Sequence, residues 1–277
     1  MKDCIMDGLI DTLKLLPYLL ITFLLLEFIE HKLSKKNQKV LSENKKYGPF
    51  LGGILGALPQ CGFSSMAANL FSARVITMGT LIAVFLSTSD EMLPIMISEK
   101  VDILLLVRII GFKLIVGIMI GLIVDLIYKN NTKTNIESIC EHDHCDCDHD
   151  GIIKSSLIHT LKIGLFILIA NLVINIVIFK VGEDNVSNLL LHNNILTYFI
   201  SSLIGLIPNC AGSVIITELY LNSFITIGTM LAGLLTGSGL GILLLFRTNK
   251  NIKENITILS IIYFVGVIIG MIVDLII

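Results

Sequence analysis

Charge is scarce in this chain. Asp, Glu, Lys and Arg make up 15% of the 277 residues against 54% hydrophobic, and mean hydropathy is +0.87. A soluble globule of this length could not cover runs such as 103–128 and 256–277. Such runs reach the roughly 20 residues that cross a ~30 Å hydrocarbon core as helix. The fold class expected is therefore all-α, a polytopic protein of the cell membrane with the lipid bilayer as its solvent. A net charge of −2 and the lack of any basic stretch interleaved with aromatics exclude a nucleic-acid groove. No Gly-x-x-x-x-Gly-Lys-Ser/Thr loop is present, which argues against ATP hydrolysis within the chain. Nor is there a Cys-x-x-Cys, or a histidine pair within one span to ligate haem or quinone. No cofactor is expected. The first apolar segment, about 9–29, exceeds a signal-peptide core and lacks a small-residue cleavage site after it, so it reads as a retained helix.

Proline is also rare, five in all, and two of the five sit in a repeat. Leu58-Pro59-Gln60-Cys61-Gly62-Phe63-Ser64 returns 149 residues later as Ile207-Pro208-Asn209-Cys210-Ala211-Gly212-Ser213. The offset holds for Ile76-Thr77-Met78-Gly79-Thr80 against Ile225-Thr226-Ile227-Gly228-Thr229. It holds again for Gly121 to Ile127 against Gly270 to Ile276. Upstream it slips by one, pairing Leu9 to Lys14 with Leu157 to Lys162. The chain thus divides into a first membrane repeat (1–130), a polar linker (131–154) and a second membrane repeat (155–277). Duplicated halves with breaks inside apolar segments point to a transporter whose substrate site lies between them near the midplane.

Apolar segments fall at about 8–31, 48–73, 75–98 and 103–128, then 155–179, 196–221, 223–246 and 256–277. The loop after the first carries Lys32, Lys35, Lys36, Lys39, Lys45 and Lys46, a cytoplasmic signature, whereas its counterpart at 180–195 has only Lys180. Four full crossings per half would put both loops on one side; an odd number would separate them. The charge pattern favours the odd count and hence an inverted repeat, with segments 48–73 and 196–221 re-entrant or broken at Pro59 and Pro208. A break in 75–98 at Ser87-Thr88-Ser89-Asp90, giving two hairpins per half, would cancel that parity argument, and a parallel repeat is the alternative.

Proline removes a backbone donor and frees carbonyls that must be buried in protein or line a cavity. The half-helix that follows would start at the cysteine. Cys61 and Cys210 would then sit at the positive end of a helix dipole, which favours thiolate and soft-metal ligation. One kinked helix with a small buried cysteine needs no function. A pair at equivalent positions beside Gln60, Asn209, Ser64 and Ser213 reads as a binding site. Carboxylates inside apolar segments, costly there, are the second signal: Asp90, Glu91 and Glu218, with Asn69 the repeat partner of Glu218. Ser87-Thr88-Ser89 and Thr236-Gly237-Ser238-Gly239 are aligned polar breaks whose hydroxyls can satisfy freed backbone and whose glycines serve packing. Asp125 and Asp274 read most simply as interfacial, and Arg108 and Lys113 need a partner or room to snorkel. Between the halves, Cys140, His142, His144, Cys145, Cys147 and His149 crowd with acids into one cytoplasmic tract. Its composition suits reversible capture of a thiophilic or borderline cation, although the spacing matches no standard zinc module.

The duplicated Pro-x-Cys-x-x-Ser, the Ser-Thr-Ser-Asp-Glu-Met at 87–92 and the His/Asp/Cys tract between halves resemble the ten-helix heavy-metal exporters. That family is also labelled arsenic efflux proteins or manganese transporters, and the similarity spans nearly the whole chain. The resemblance implies export of a metal or metalloid ion, arsenite-like or a divalent cation such as manganese, by a non-enzymatic carrier. A more distant similarity to arsenic permeases with a Cys-Ser-Cys-Gly element reaches only Pro59, Cys61, Gly62, Pro208 and Cys210. Each half here has one such cysteine, not two, which disfavours a three-thiolate arsenite site within a half. Two other readings stand beside transport: an intramembrane dithiol redox enzyme using Cys61 and Cys210, and a membrane metal sensor using the linker tract. Assembly as a homo-oligomer is compatible with all three.

Overall fold

A computed structural model describes residues 47–57, 61–89, 92–128, 195–208 and 210–276, with scattered helical positions within 13–24 and 157–169. Regular structure among the described residues is entirely helical. The first half contributes α1 (Gly48–Gly56), α2 (Cys61–Ser72), α3 (Met78–Ser87), α4 (Met92–Ser98) and α5 (Ile103–Ile127). The second contributes α6 (Ile195–Gly205), α7 (Cys210–Leu221), α8 (Ile227–Thr236), α9 (Gly241–Thr248) and α10 (Ile252–Ile276). From α2 to α5 every helix start recurs 149 residues later in α7 to α10. The apolar segments 48–73 and 75–98 are thus each two helices, and so are their counterparts.

Among the described residues, four stretches are long and apolar enough to cross a membrane: α5, α10, and the broken pairs Met78–Ser98 and Ile227–Thr248 taken through their breaks. The broken pairs are 75% and 78% buried, α5 and α10 only 28% and 33%. The unbroken helices are therefore the outer ones, and the interrupted backbone lies inside, where interrupted backbone is tolerable.

Within each half the short helices hug the broken one. Gly48 faces Thr80, Gly52 faces Thr80 and Val84, and Gly56 faces Val84 and Ser87, so α1 runs alongside α3 from its start to its end. Chain direction then reverses. Arg74, just past α2, shares a cavity of about 170 Å³ with Met78 at the start of α3 and Tyr128 at the end of α5. α1 and α2 thus form a hairpin that enters and leaves at the same end of α3. The second half builds the same hairpin with hydroxyls where the first has glycines. Ser201 Oγ donates to the Thr229 carbonyl at 2.8 Å and Ser202 Oγ to that of Ala232 at 3.2 Å.

One clamp, made twice, fastens the start of each broken helix to the end of its outer helix. Thr77 caps α3, its hydroxyl accepting from the Thr80 N–H at 3.1 Å and donating to Asp125 Oδ2 at 2.6 Å. The Gly79 N–H donates to Asp125 Oδ1 at 2.8 Å. In the second half Thr226 and Gly228 donate to Asp274 in the same way, the latter at 2.8 Å, and the Tyr198 hydroxyl adds a third bond at 2.8 Å. Any Cβ on Gly79 would collide with the Gly121 carbonyl, and one on Gly228 with that of Gly270, so the repeated Thr-x-Gly-Thr and Gly-x-x-x-Asp motifs are two faces of one crossing.

α5 and α10 run in opposite directions. The end of α5 (Tyr128) and the start of α10 (Lys253, Glu254, Thr257) line the same cavity. At mid-length Gly266 of α10 packs on Ala232 and Thr236 of α8, while Lys113 of α5 reaches Leu234. Leu16 and Gly164, repeat-equivalent positions of the first and fifth segments, also meet.

The clamp yields a test. Asp125→Ala and Asp274→Ala should each destabilise the detergent-solubilised protein by roughly 2–4 kcal/mol, since hydrogen bonds to a charged group contribute about 1.5–3 kcal/mol. Gly79→Val and Gly228→Val should cost about 1–3 kcal/mol or more by overpacking. Thermal unfolding reads both; variants as stable as the parent would show the clamp to be idle.

Candidate functional site

Both repeat cysteines open a helix: Cys61 is the first residue of α2 and Cys210 the first of α7. Their backbone N–H groups therefore lie at the positive ends of two half-helix dipoles. The side chains of Cys61 and Cys210 lie outside the described residues, as do Gln60, Asn209, Asp90, Glu91 and the linker ligands Cys140, His142, His144, Cys145, Cys147 and His149.

The described candidates fall on two unlike faces. On α2, Ser64 and Asn69 are completely buried. On α7, Ser213 is half-buried and Glu218 exposed. Asn69 and Glu218 are repeat-equivalent, so the same register is covered in one half and open in the other. The cover over α2 comes partly from the second half: a Cβ on Gly241, at the start of α9, would lie 3.0 Å from Ser64 Cβ. α2 and α9 run side by side in the same sense, the Ser72 and Thr248 hydroxyls closing the far end at 2.6 Å.

Asn69 is the anomaly of this face. Both its amide atoms are buried without a hydrogen-bond partner, and so is Ser65 Oγ one turn earlier. A buried unpartnered polar group costs about 1–3 kcal/mol, and folded proteins retain few. Ser238 Oγ, in the break before α9, is a third. Ser65 is matched by apolar Val214 and escapes a search for what the halves share; divergence between the halves was the signal that could have found it.

The two breaks meet around Lys113, fully buried on α5. Its ammonium donates to the Thr88 carbonyl at the end of α3 and, at 2.9 Å, to the Leu234 carbonyl near the end of α8. A cation there answers the negative ends of two helix dipoles, one from each half. Hydroxyls add second bonds to carbonyls of the last turns, Val84 and Gly233 among them, which also accept backbone N–H groups. Ser87 donates to the Ala83 carbonyl at 2.8 Å, Thr88 to Val84 at 2.7 Å, and Thr236 to Gly233 at 2.8 Å. Arg108, by contrast, is exposed and free to snorkel.

Groups of three or more His, Cys, Asp or Glu side chains able to hold a metal do not occur among the described residues. The chemistry on offer is a pair of helix N-termini bearing thiols, neutral oxygen and amide donors on α2, and a carboxylate on α7.

Comparison with known proteins identifies a family. A family model described as "Putative, 10TM heavy-metal exporter" matches residues 2–197 and again 161–277, together nearly the whole chain. No curated protein and no solved structure matches.

If Asn69 is kept for a ligand and not for the fold, Asn69→Leu should leave the ligand-free protein as stable or raise its stability by about 1–3 kcal/mol, the penalty it removes. A lowered melting temperature would show that the amide serves the structure.

Proposed function

This chain belongs to the ten-transmembrane heavy-metal exporter family, and from that premise we propose that it exports a thiophilic metal or metalloid ion, arsenite-like in softness, by alternating access. Membership of an exporter family is consistent with a carrier that is not an enzyme. The two halves (1–130 and 155–277) act as an inverted repeat in the cell membrane, α1–α2 and α6–α7 being re-entrant hairpins from opposite faces. What supports the inversion is the opposed course of the equivalent helices α5 and α10. What supports the hairpins is the return of α2 to the end where α1 begins.

The observation that carries the cargo reading is that both short helices start at a cysteine. Cys61 and Cys210, each the first residue of a helix, supply soft ligands at the midplane. Gln60, Asn209, Ser64 and Ser213 complete the cage with oxygen and amide groups; Asn69 and Glu218, two turns along α2 and α7 toward opposite faces, serve with Asp90 and Glu91 as oxygen ligands or proton carriers along the path. The linker tract at 131–154 loads the ion from the cytoplasm through Cys140, His142, His144, Cys145, Cys147 and His149. The oxygen donors on α2 and α7 favour a second reading, a harder divalent cation such as manganese.

Cellular content of arsenite, manganese, zinc and cadmium should be compared in cells expressing wild type, Cys61→Ser/Cys210→Ser, Glu218→Gln, or empty vector. Wild type should lower a thiophilic ion, and the double cysteine variant should lose that effect by at least roughly tenfold, the scale on which even outer-shell groups alter metal affinity. Loss in Glu218→Gln with the cysteine variant active would favour manganese. Equal content of every ion in wild type and vector would overturn the transporter reading.

A further inference from the structure

One inter-half contact has no counterpart at its symmetry-related place. Arg74, in the turn after α2 with φ 60°, pairs with Glu254 of α10 at 2.8 Å. The same guanidinium reaches Asn249 Oδ1 at 3.5 Å and lies 5.2 Å from the centre of the Phe71 ring. Asn249 Nδ2 donates to Glu254 at 3.2 Å and to Asn255 at 2.7 Å, and Asn255 Nδ2 returns a bond to the Asn249 carbonyl at 3.0 Å. With Ser72 and Thr248, the network ties the end of α2 to the α9–α10 turn. The repeat equivalents of Arg74 and Glu254 are Ser223 and Leu105, which cannot form an ion pair. The turn itself is duplicated: Ser223 has φ 61°, and the helix-end bonds of Arg74 to Phe71 and Val75 to Leu70 recur as Ser223 to Tyr220 and Phe224 to Leu219. Backbone is shared, then, and only the side-chain fastening is not.

Exposure follows the fastening. At the α2 end Asn69 and Ala73 are 0% exposed, whereas their equivalents Glu218 and Asn222 at the α7 end are exposed. Because α5 and α10 run oppositely, these two ends lie at opposite faces of the molecule.

We propose that the Arg74–Glu254 pair, braced by Asn249, is a latch that shuts the inter-half path at the α2 end. The structure is the conformer with that end closed and the α7 end open. Its location beside Arg247, Lys250 and Lys253 makes the latched face the lysine-rich, cytoplasmic one. The inference rests on the alternating-access reading but not on the identity of the ion. A latch at one end only biases the resting protein toward one orientation, so that release of cargo is the default and loading requires the latch to part.

The test reads accessibility without cargo. Ala73→Cys and Asn222→Cys, placed separately in the otherwise native chain, are challenged with a membrane-impermeant maleimide from each face of vesicles, and labelling is quantified on the peptide carrying the new cysteine. Asn222→Cys should label readily from one face and Ala73→Cys slowly from either. Adding Arg74→Ala or Glu254→Gln should raise Ala73→Cys labelling from the other face about tenfold, the change expected for a latch holding roughly 1.4 kcal/mol. Asn222→Cys labelling in the same variants reports that the fold survives, and the exchanged pair Arg74→Glu/Glu254→Arg should restore protection. Rapid labelling of Ala73→Cys with the latch intact, or unchanged protection after Arg74→Ala in a protein that still labels at 222, would overturn the latch. Neither result touches the ion measurements, so failure here and failure of the cargo reading are distinguishable.

Discussion

A helix broken in an apolar interior leaves N–H and carbonyl groups that water cannot reach, and the architecture of this protein is organised around answering them. At the starts of α3 and α8 the answer is a carboxylate from the end of the neighbouring outer helix, Asp125 or Asp274, which takes one backbone N–H and one threonine hydroxyl. At the other ends it is one lysine on the Thr88 and Leu234 carbonyls, with serine and threonine hydroxyls adding second bonds in the last turns. Without these partners each orphaned group would cost several kcal/mol in hydrocarbon surroundings, and an unbroken helix would be preferred. The glycine contacts at Gly79 and Gly121, and again at Gly228 and Gly270, bring the backbones close enough for the carboxylate to reach.

What the halves share is scaffold, and where they differ the interior changes character. The clamp, the hairpins and the helix-end turns occur twice. Lys113 occurs once, opposite Ile262 in the repeat, and holds the ends of both broken helices, so the two halves are joined at a charge that only one supplies. Asn69 is buried where Glu218 is exposed. Under the alternating access proposed above, two equal halves could favour neither orientation, and these differences would make one the lower in free energy.

Much of the site region was legible because a doubled feature is hard to produce by chance. The Pro-x-Cys repeat implied half-helices starting at Cys61 and Cys210, and those are the first residues of α2 and α7. The polar breaks at Ser87-Thr88-Ser89 and Thr236 were read as satisfying freed backbone; their hydroxyls bond backbone carbonyls of the last turns, but Val84 and Gly233 among these also accept a backbone N–H. Asp125 and Asp274 were read as interfacial, and their role as clamps was not visible. Their partners lie 46 and 48 residues away, and nothing in a linear pattern says which helix start will meet which helix end. Arg74 and Glu254 went unnoticed for a related reason: a charge in a turn looks solvated until the turn is found against another helix.

Composition and periodicity by themselves determined that the chain is helical, membrane-embedded and duplicated, because transfer of apolar side chains and backbone out of water depends on local residue content alone. They also located the proline breaks, since a missing N–H is a property of one residue. Which end of one helix faces which end of another, which polar groups are left without a partner, and which of two equivalent faces is covered were decided only by the tertiary structure. Those are properties of pairs of residues far apart in the chain, and their free energies exist only once the pairs are brought into contact.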